Sequence, residues 1–281
     1  MNFELVEMNF TKKLLRAQQK NNSLLSVGLD TDIKKIPLHL RTNKNGIVEF
    51  NKQIIDATKD ITCGYKINFA FYEALGKEGW TIIEKTRAMI PSSIITIADA
   101  KRGDIGNTSA YYANAILNEM NFDSITVAPY MGKDSVEPFL QWNNKGVFLL
   151  ALTSNQGAFD FQYQKTGKKR LFEEVVIKSQ KWTTNNNLGF VVGATKSKDI
   201  QSVRKLAPHI PFLVPGIGAQ GGSVEDVIKF GCTKDGLGVL INSSRNILYA
   251  SNGKDFAVAA RSEALKLNNE INFFRNIFFQ R

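Results

Sequence analysis

The chain predicts a closed (β/α)8 barrel, and three observations carry that prediction. Eight short apolar runs recur along its 281 residues, with helical patterns between them. Each run is almost continuously hydrophobic, as strands buried on both faces of a parallel sheet must be. Asp30, Lys66, Asp99, Lys101, Ser154, Gln220 and Arg245 sit at or just beyond the C-terminal ends of these runs. In a closed barrel those ends converge on one mouth. An open, doubly wound sheet shares the β–α alternation, and periodicity alone does not separate the two; the polar strand ends favour the barrel.

Residues 1–22 read as a helical extension ahead of the first strand. The runs then come in order: LLSVGLD (24–30), ITCGYKIN (61–68), SIITIADAK (93–101), DSITVAPY (123–130), GVFLLALTS (146–154), LGFVVGAT (188–195), PFLVPGIG (211–218) and GVLINSSR (238–245). Amphipathic patterns at 48–60, 69–89 and 171–184 are helices by their spacing, as is GNTSAYYANAIL after the third run. Residues 255–281 form a closing helix, its Phe-rich end an apolar stripe for packing on the barrel. No linker or low-complexity segment interrupts the series, so one domain spanning 1–281 is expected.

Composition narrows the function. At 43% hydrophobic and 22% charged residues, the chain is of ordinary globular type. No apolar run reaches the roughly 18 residues of a membrane span, and the acid-containing start MNFELVEMNFTKKLL lacks the apolar core of a secretory signal. MNF occurs at both Met1 and Met8, so either is a candidate start. Two cysteines, Cys63 and Cys232, are too few for a disulfide framework and fit the reducing cytoplasm. The net charge of +10 comes from 36 basic and 26 acidic residues, scattered apart from GKKR at 167–170. With no basic–aromatic interleaving, the charge points to small anions rather than nucleic acid.

The chemistry concentrates in TIADAKRGDIGNT (96–108). On a regular strand Asp99 and Lys101 share a face and Ala100 takes the other. An ammonium among carboxylates keeps its proton. Lys66 and Asp30 end neighbouring strands and balance the charge; the structural alternative is a rim salt-bridge network. In LVPGIGAQGG (213–222), glycines including Gly216 and Gly218 precede a helix starting near Ser223. Close backbone approach and exposed N–H groups there suit a phosphate, and Arg245 after the eighth run supplies a guanidinium. No metal site is expected: His39 and His209 lack ligand spacing to any partner, and at a carboxylate-only Mg²⁺ site using Asp99, the alternative left open, Lys101 would compete electrostatically. Neither a GxSxG elbow nor a GxGxxG at the first β–α turn is present.

These motifs resemble the orotidine 5′-monophosphate decarboxylase family, in its larger, bacterial-type branch. The resemblance runs through SVGLDTD (26–32), YKINFAFYE (65–73), DAKRGDI, APYMGKDSVEPFL (128–140), ALTSNQGAFDF (151–161), VVGATK (191–196), LVPGIGAQGG and INSSRNILYA (241–250). It implies conversion of orotidine 5′-monophosphate to UMP and CO2 in pyrimidine biosynthesis, without cofactor, by a cytoplasmic homodimer. By motif, Lys101 resembles the proton donor, Asp99 the acid beside the substrate carboxylate, and Lys66 and Asp30 the ribose-holding members of the charge network. Asp104 resembles the acid that reaches into a partner's site, with Ile105 and Thr108 following it. Ser154 resembles the pyrimidine-contacting serine, Gln220 and Arg245 the phosphate grip. Ile67 and Gln156 stand where the family often has proline, which leaves loop shape at those points open. Two alternatives remain: a Mg²⁺-dependent sugar-phosphate lyase or decarboxylase on a related barrel, and a non-catalytic barrel binding phosphate ligands or RNA.

Overall fold

A computed structural model describes residues 9–183, 185–194, 197–217 and 221–280. Its barrel strands are β1 (Leu25–Gly28), β2 (Gly64–Asn68), β3 (Ile95–Arg102), β4 (Ser124–Val127), β5 (Gly146–Leu152), β6 (Leu188–Val192), β7 (Phe212–Pro215) and β8 (Val239–Ser243). Each pairs in parallel with the next, and β8 returns to β1, Leu25 opposite Ile241, closing a barrel of eight strands. The barrel reading therefore holds and the open sheet does not. β1, β5 and β8 stop earlier than their apolar runs, so Asp30 and Ser154 stand in the loops just past them and Arg245 at the start of a short helix (Arg245–Leu248) after β8.

Alternation sets the two faces of the wall. Tyr65, Ile67, Phe190, Val192, Phe212, Val214, Val239 and Ile241 face outward into the main core against the helices. Ile95, Ile97, Phe148, Val191, Leu213 and Leu240 face inward and fill the lower barrel. Above that apolar layer the inward positions turn polar: Lys66, Asp99, Thr126 and Asn242 line the cavity at the C-terminal end. The barrel is a packed core below and a site above.

The floor is closed by α1 (Phe10–Lys20). Its Phe10, Leu14 and Ala17 pack with the inward residues of the lower barrel. Phe10 meets Phe148 edge-on at 5.8 Å, and a Cβ at Gly146 would run into its ring. Burying Phe10 and Leu14 contributes about 1.5–3 kcal/mol each. Gln18 donates to the Val239 carbonyl (2.7 Å) and accepts from the Gly238 N–H (3.1 Å), tying the plug to β8. This helix, within the 1–22 segment read from sequence as a helical extension, caps the lower end of the barrel.

The outer helices are α2 (Gly46–Thr58), α3 (Lys77–Met89), α4 (Gly106–Ala113), α5 (Lys133–Leu140), α6 (Leu171–Ser179), α7 (Ser197–Leu206), α8 (Val224–Gly231) and α9 (Phe256–Phe279). The expected helix over 69–89 breaks, because Gly76 adopts φ +63° between a short helix (Phe69–Glu73) and α3. The helix after β3 passes from α4 into a π-helical turn, Asn114–Glu119. Among the described residues no helix is long and apolar enough to cross a membrane.

Candidate active site

The upper barrel encloses a cavity of about 360 Å³. Its floor is a charge network. Asp99, 8% exposed, takes Lys66 Nζ on Oδ2 at 2.8 Å and Lys101 Nζ on Oδ1 at 2.6 Å. Lys66, only 4% exposed, also reaches Asp30 Oδ1 at 3.4 Å. Two cations thus share two carboxylates, and a neutral cluster is what a water-poor barrel interior tolerates. Burial works against ionisation of Asp99, but the fields of Lys66 and Lys101, with their hydrogen bonds, outweigh it and hold the carboxyl well below the usual range. Burial likewise opposes the charge on Lys66; Asp99 and Asp30 outweigh it and hold the ammonium above the usual lysine range.

The sequence expectation of a regular strand through Asp99 and Lys101 needs correction. The β3–β4 register shifts between Ala98 and Arg102, and Lys101 adopts φ +46°, the left-handed region. That conformation costs a non-glycine residue on the order of 1–3 kcal/mol. Thr126 compensates: its hydroxyl donates to Asp99 Oδ1 (3.0 Å) and accepts from the Lys101 N–H (2.9 Å). The bulge curls the chain so that the Lys101 ammonium meets Asp99 while its side chain stays half exposed at the cavity. Thr126 was missed from sequence; its signal is a hydroxyl at an inward position of an otherwise apolar run, ITV.

Thr153, Ser154 and Asn155 after β5 form one wall of the cavity, and Gly216, Ile217 and the 242–246 segment another. Ser154 lies close to Gly193, the residue after β6, where an added Cβ would lie 2.8 Å from the Ser154 backbone nitrogen. Gly216 turns the chain out of β7 at φ +97°. Arg245 opens a short helix (Arg245–Leu248) with its side chain exposed at the cavity. Gly218 and Gln220 lie outside the described residues. Asp104, Ile105 and Thr108 are not brought to the cavity by this chain. Asp104 Oδ1 instead accepts from the Ile105 N–H at 2.7 Å, and Ile105 is 64% exposed.

The "Orotidine 5'-phosphate decarboxylase / HUMPS family" model matches residues 23–260. The chain belongs to this family. It is 54% identical over 264 residues to an orotidine 5′-phosphate decarboxylase of Flavobacterium johnsoniae, covering 93% of this chain and 96% of that one. A second, from Dehalococcoides mccartyi, is 50% identical over 275 residues, covering 96% and 100%. Among solved structures, the Leishmania donovani OMP decarboxylase superposes with a TM-score of 0.84 at 38% identity, covering 95% of this chain and 99% of that chain.

Proposed function

We propose that the chain decarboxylates orotidine 5′-monophosphate to UMP and CO2 in pyrimidine biosynthesis. The observation that carries the reading is the Asp30–Lys66–Asp99–Lys101 network at the floor of a nucleotide-sized cavity. Breaking the bond between C6 and the carboxylate leaves its electron pair on C6. No neighbouring carbonyl delocalises it conventionally, so fixed charge must stabilise it. The Lys101 ammonium, anchored by Asp99, supplies that charge and then gives C6 its proton; the resulting amine recovers a proton from solvent. Because the cations are already in place, little reorganisation accompanies the reaction. No cofactor takes part in this scheme.

Asp99 sits beside the departing carboxylate. Lys66 and Asp30 hold the ribose and keep the network neutral, Ser154 contacts the pyrimidine, and Arg245 grips the phosphate with the 216–220 segment. Binding energy from the remote phosphate is then available to the reacting centre. The proposed assembly is a homodimer in which Asp104, Ile105 and Thr108 complete the partner's site. Its support is the exposed apolar character of this rim: Ile105 and Tyr111 after β3, Tyr130 and Met131 after β4. The proposed compartment is the cytoplasm, consistent with a chain of only two cysteines, Cys63 and Cys232, both buried.

Chromatography of orotidine 5′-monophosphate incubated with the protein should show its conversion to UMP; an unchanged substrate would refute the function. Mixing inactive Lys101→Ala and Asp104→Ala dimers tests the composite site. Activity should return in heterodimers, and none would place both residues in one chain's site.

A further inference from the structure

Resting on that functional reading, we infer that Gln162 is a positioning residue that sets the wall of the site facing the pyrimidine. Its amide grips Thr153 at two points: Oε1 accepts the Thr153 N–H (2.8 Å), and Nε2 donates to Thr153 Oγ1 (2.8 Å). The same hydroxyl donates to Asn155 Oδ1 (2.6 Å). One side chain thereby fixes the residues on both sides of Ser154, all three of which line the cavity. Gly193, just past β6, also approaches the Ser154 backbone so closely that an added Cβ would lie 2.8 Å from its nitrogen, which leaves the serine little room to shift.

The clamp is itself braced. Gln162 follows the short helix Ala158–Phe161, and its N–H donates to the Ala158 carbonyl (2.8 Å). The Gln162 carbonyl accepts from Phe172 (3.0 Å), and Gln164 accepts from Leu171 (2.8 Å), joining the loop to α6. Tyr163 Oη donates to Asp199 Oδ2 (2.6 Å) and Arg170 reaches Asp199 Oδ1 (2.7 Å), pinning both sides of the loop to α7. Arg170 also lies over the Phe172 ring at 4.3 Å. A loop so bound holds one conformation, and a small displacement of a contact group is costly to catalysis.

Gln162→Met keeps the length of the side chain and removes both contacts; Gln162→Glu keeps an oxygen for the Thr153 N–H. The readouts are kcat and KM on orotidine 5′-monophosphate, and affinities for UMP and for ribose 5-phosphate, which lacks the base. Gln162→Met should lower kcat/KM and UMP affinity roughly 10- to 100-fold while ribose 5-phosphate binding changes by less than about twofold. Gln162→Glu should recover most of the loss. Unchanged turnover, or equal losses on both ligands, would overturn the inference. Should Gln162→Met fail to fold, Thr153→Val removes the hydroxyl contacts alone and must show the same selectivity for the base-containing ligand. A wild-type protein that leaves orotidine 5′-monophosphate untouched would overturn the functional reading, and the inference with it.

Discussion

Replacing Asp99 with Asn tests the charge network as a unit. The change keeps the shape of the side chain and removes one of two carboxylates. Lys66, 4% exposed, then loses its 2.8 Å partner and retains only Asp30 at 3.4 Å. Breaking a buried ion pair from one side costs about 3–5 kcal/mol. Asp30 keeps part of the attraction and Lys101 can turn to solvent, so about 2–4 kcal/mol of stability should be lost. Urea unfolding followed by tryptophan fluorescence would measure it.

The deficit should be flat across neutral pH, and its signs can be worked out. Asp99 has a lowered folded pKa, so its contribution is present above the ordinary carboxylate range and is lost as pH falls through the folded value. Lys66 has a raised one, so its contribution is full below the ordinary lysine value and is lost as pH rises through the folded value. Adding Lys66→Met should restore much of the stability, since an apolar side chain needs no partner, while activity stays absent. A loss below about 1 kcal/mol for Asp99→Asn, or additive losses in the double variant, would refute a dry, coupled network.

Other expectations follow from single contacts. Arg245→Ala should weaken phosphorylated ligands by roughly 2–3 kcal/mol and leave uridine binding nearly unchanged, by calorimetry; equal losses would remove Arg245 from the phosphate. Gly146→Ala should cost about 1–3 kcal/mol of stability by pushing its methyl into the Phe10 ring, with kcat unaffected because the plug lies at the opposite end from the site. Lys145 is held down to about 8 by burial and by Arg87 and Lys13, against the pull of Asp123. A depressed lysine destabilises the fold while charged, so stability should rise between about pH 8 and 10.5 relative to Lys145→Met. Parallel pH profiles for the two proteins would contradict that.

What the sequence exposed and what it hid divide along physical lines. The strands were readable because burial on both faces demands continuous hydrophobicity, and Lys66, Asp99 and Lys101 because charges gathered at the ends of such runs stand out against it. The plug was not readable as one. The apolar face of α1 shows in its periodicity, but its fit to the barrel floor depends on Gly146, far along the chain. The bulge at Lys101 was hidden because a lysine gives no local sign of a positive φ; Thr126, supplied by the next strand, makes the turn tolerable. Gln162 was hidden for the same reason: its partner Thr153 belongs to the strand end, and a glutamine in a polar loop looks like solvent-facing sequence. The break at Gly76 was visible as a glycine, though the apolar spacing ran across it.

The central claim is that the Lys101 ammonium, positioned by Asp99, performs the chemistry. Its most direct test follows the ultraviolet absorbance of orotidine 5′-monophosphate with wild-type and Lys101→Ala protein, each with and without EDTA. The wild type should consume the orotate chromophore equally in both conditions, and Lys101→Ala, folded and still binding UMP, should have its kcat reduced by at least ~10⁴. A Lys101→Ala rate within about tenfold of wild type would contradict the account, since so small a loss is less than one general acid contributes.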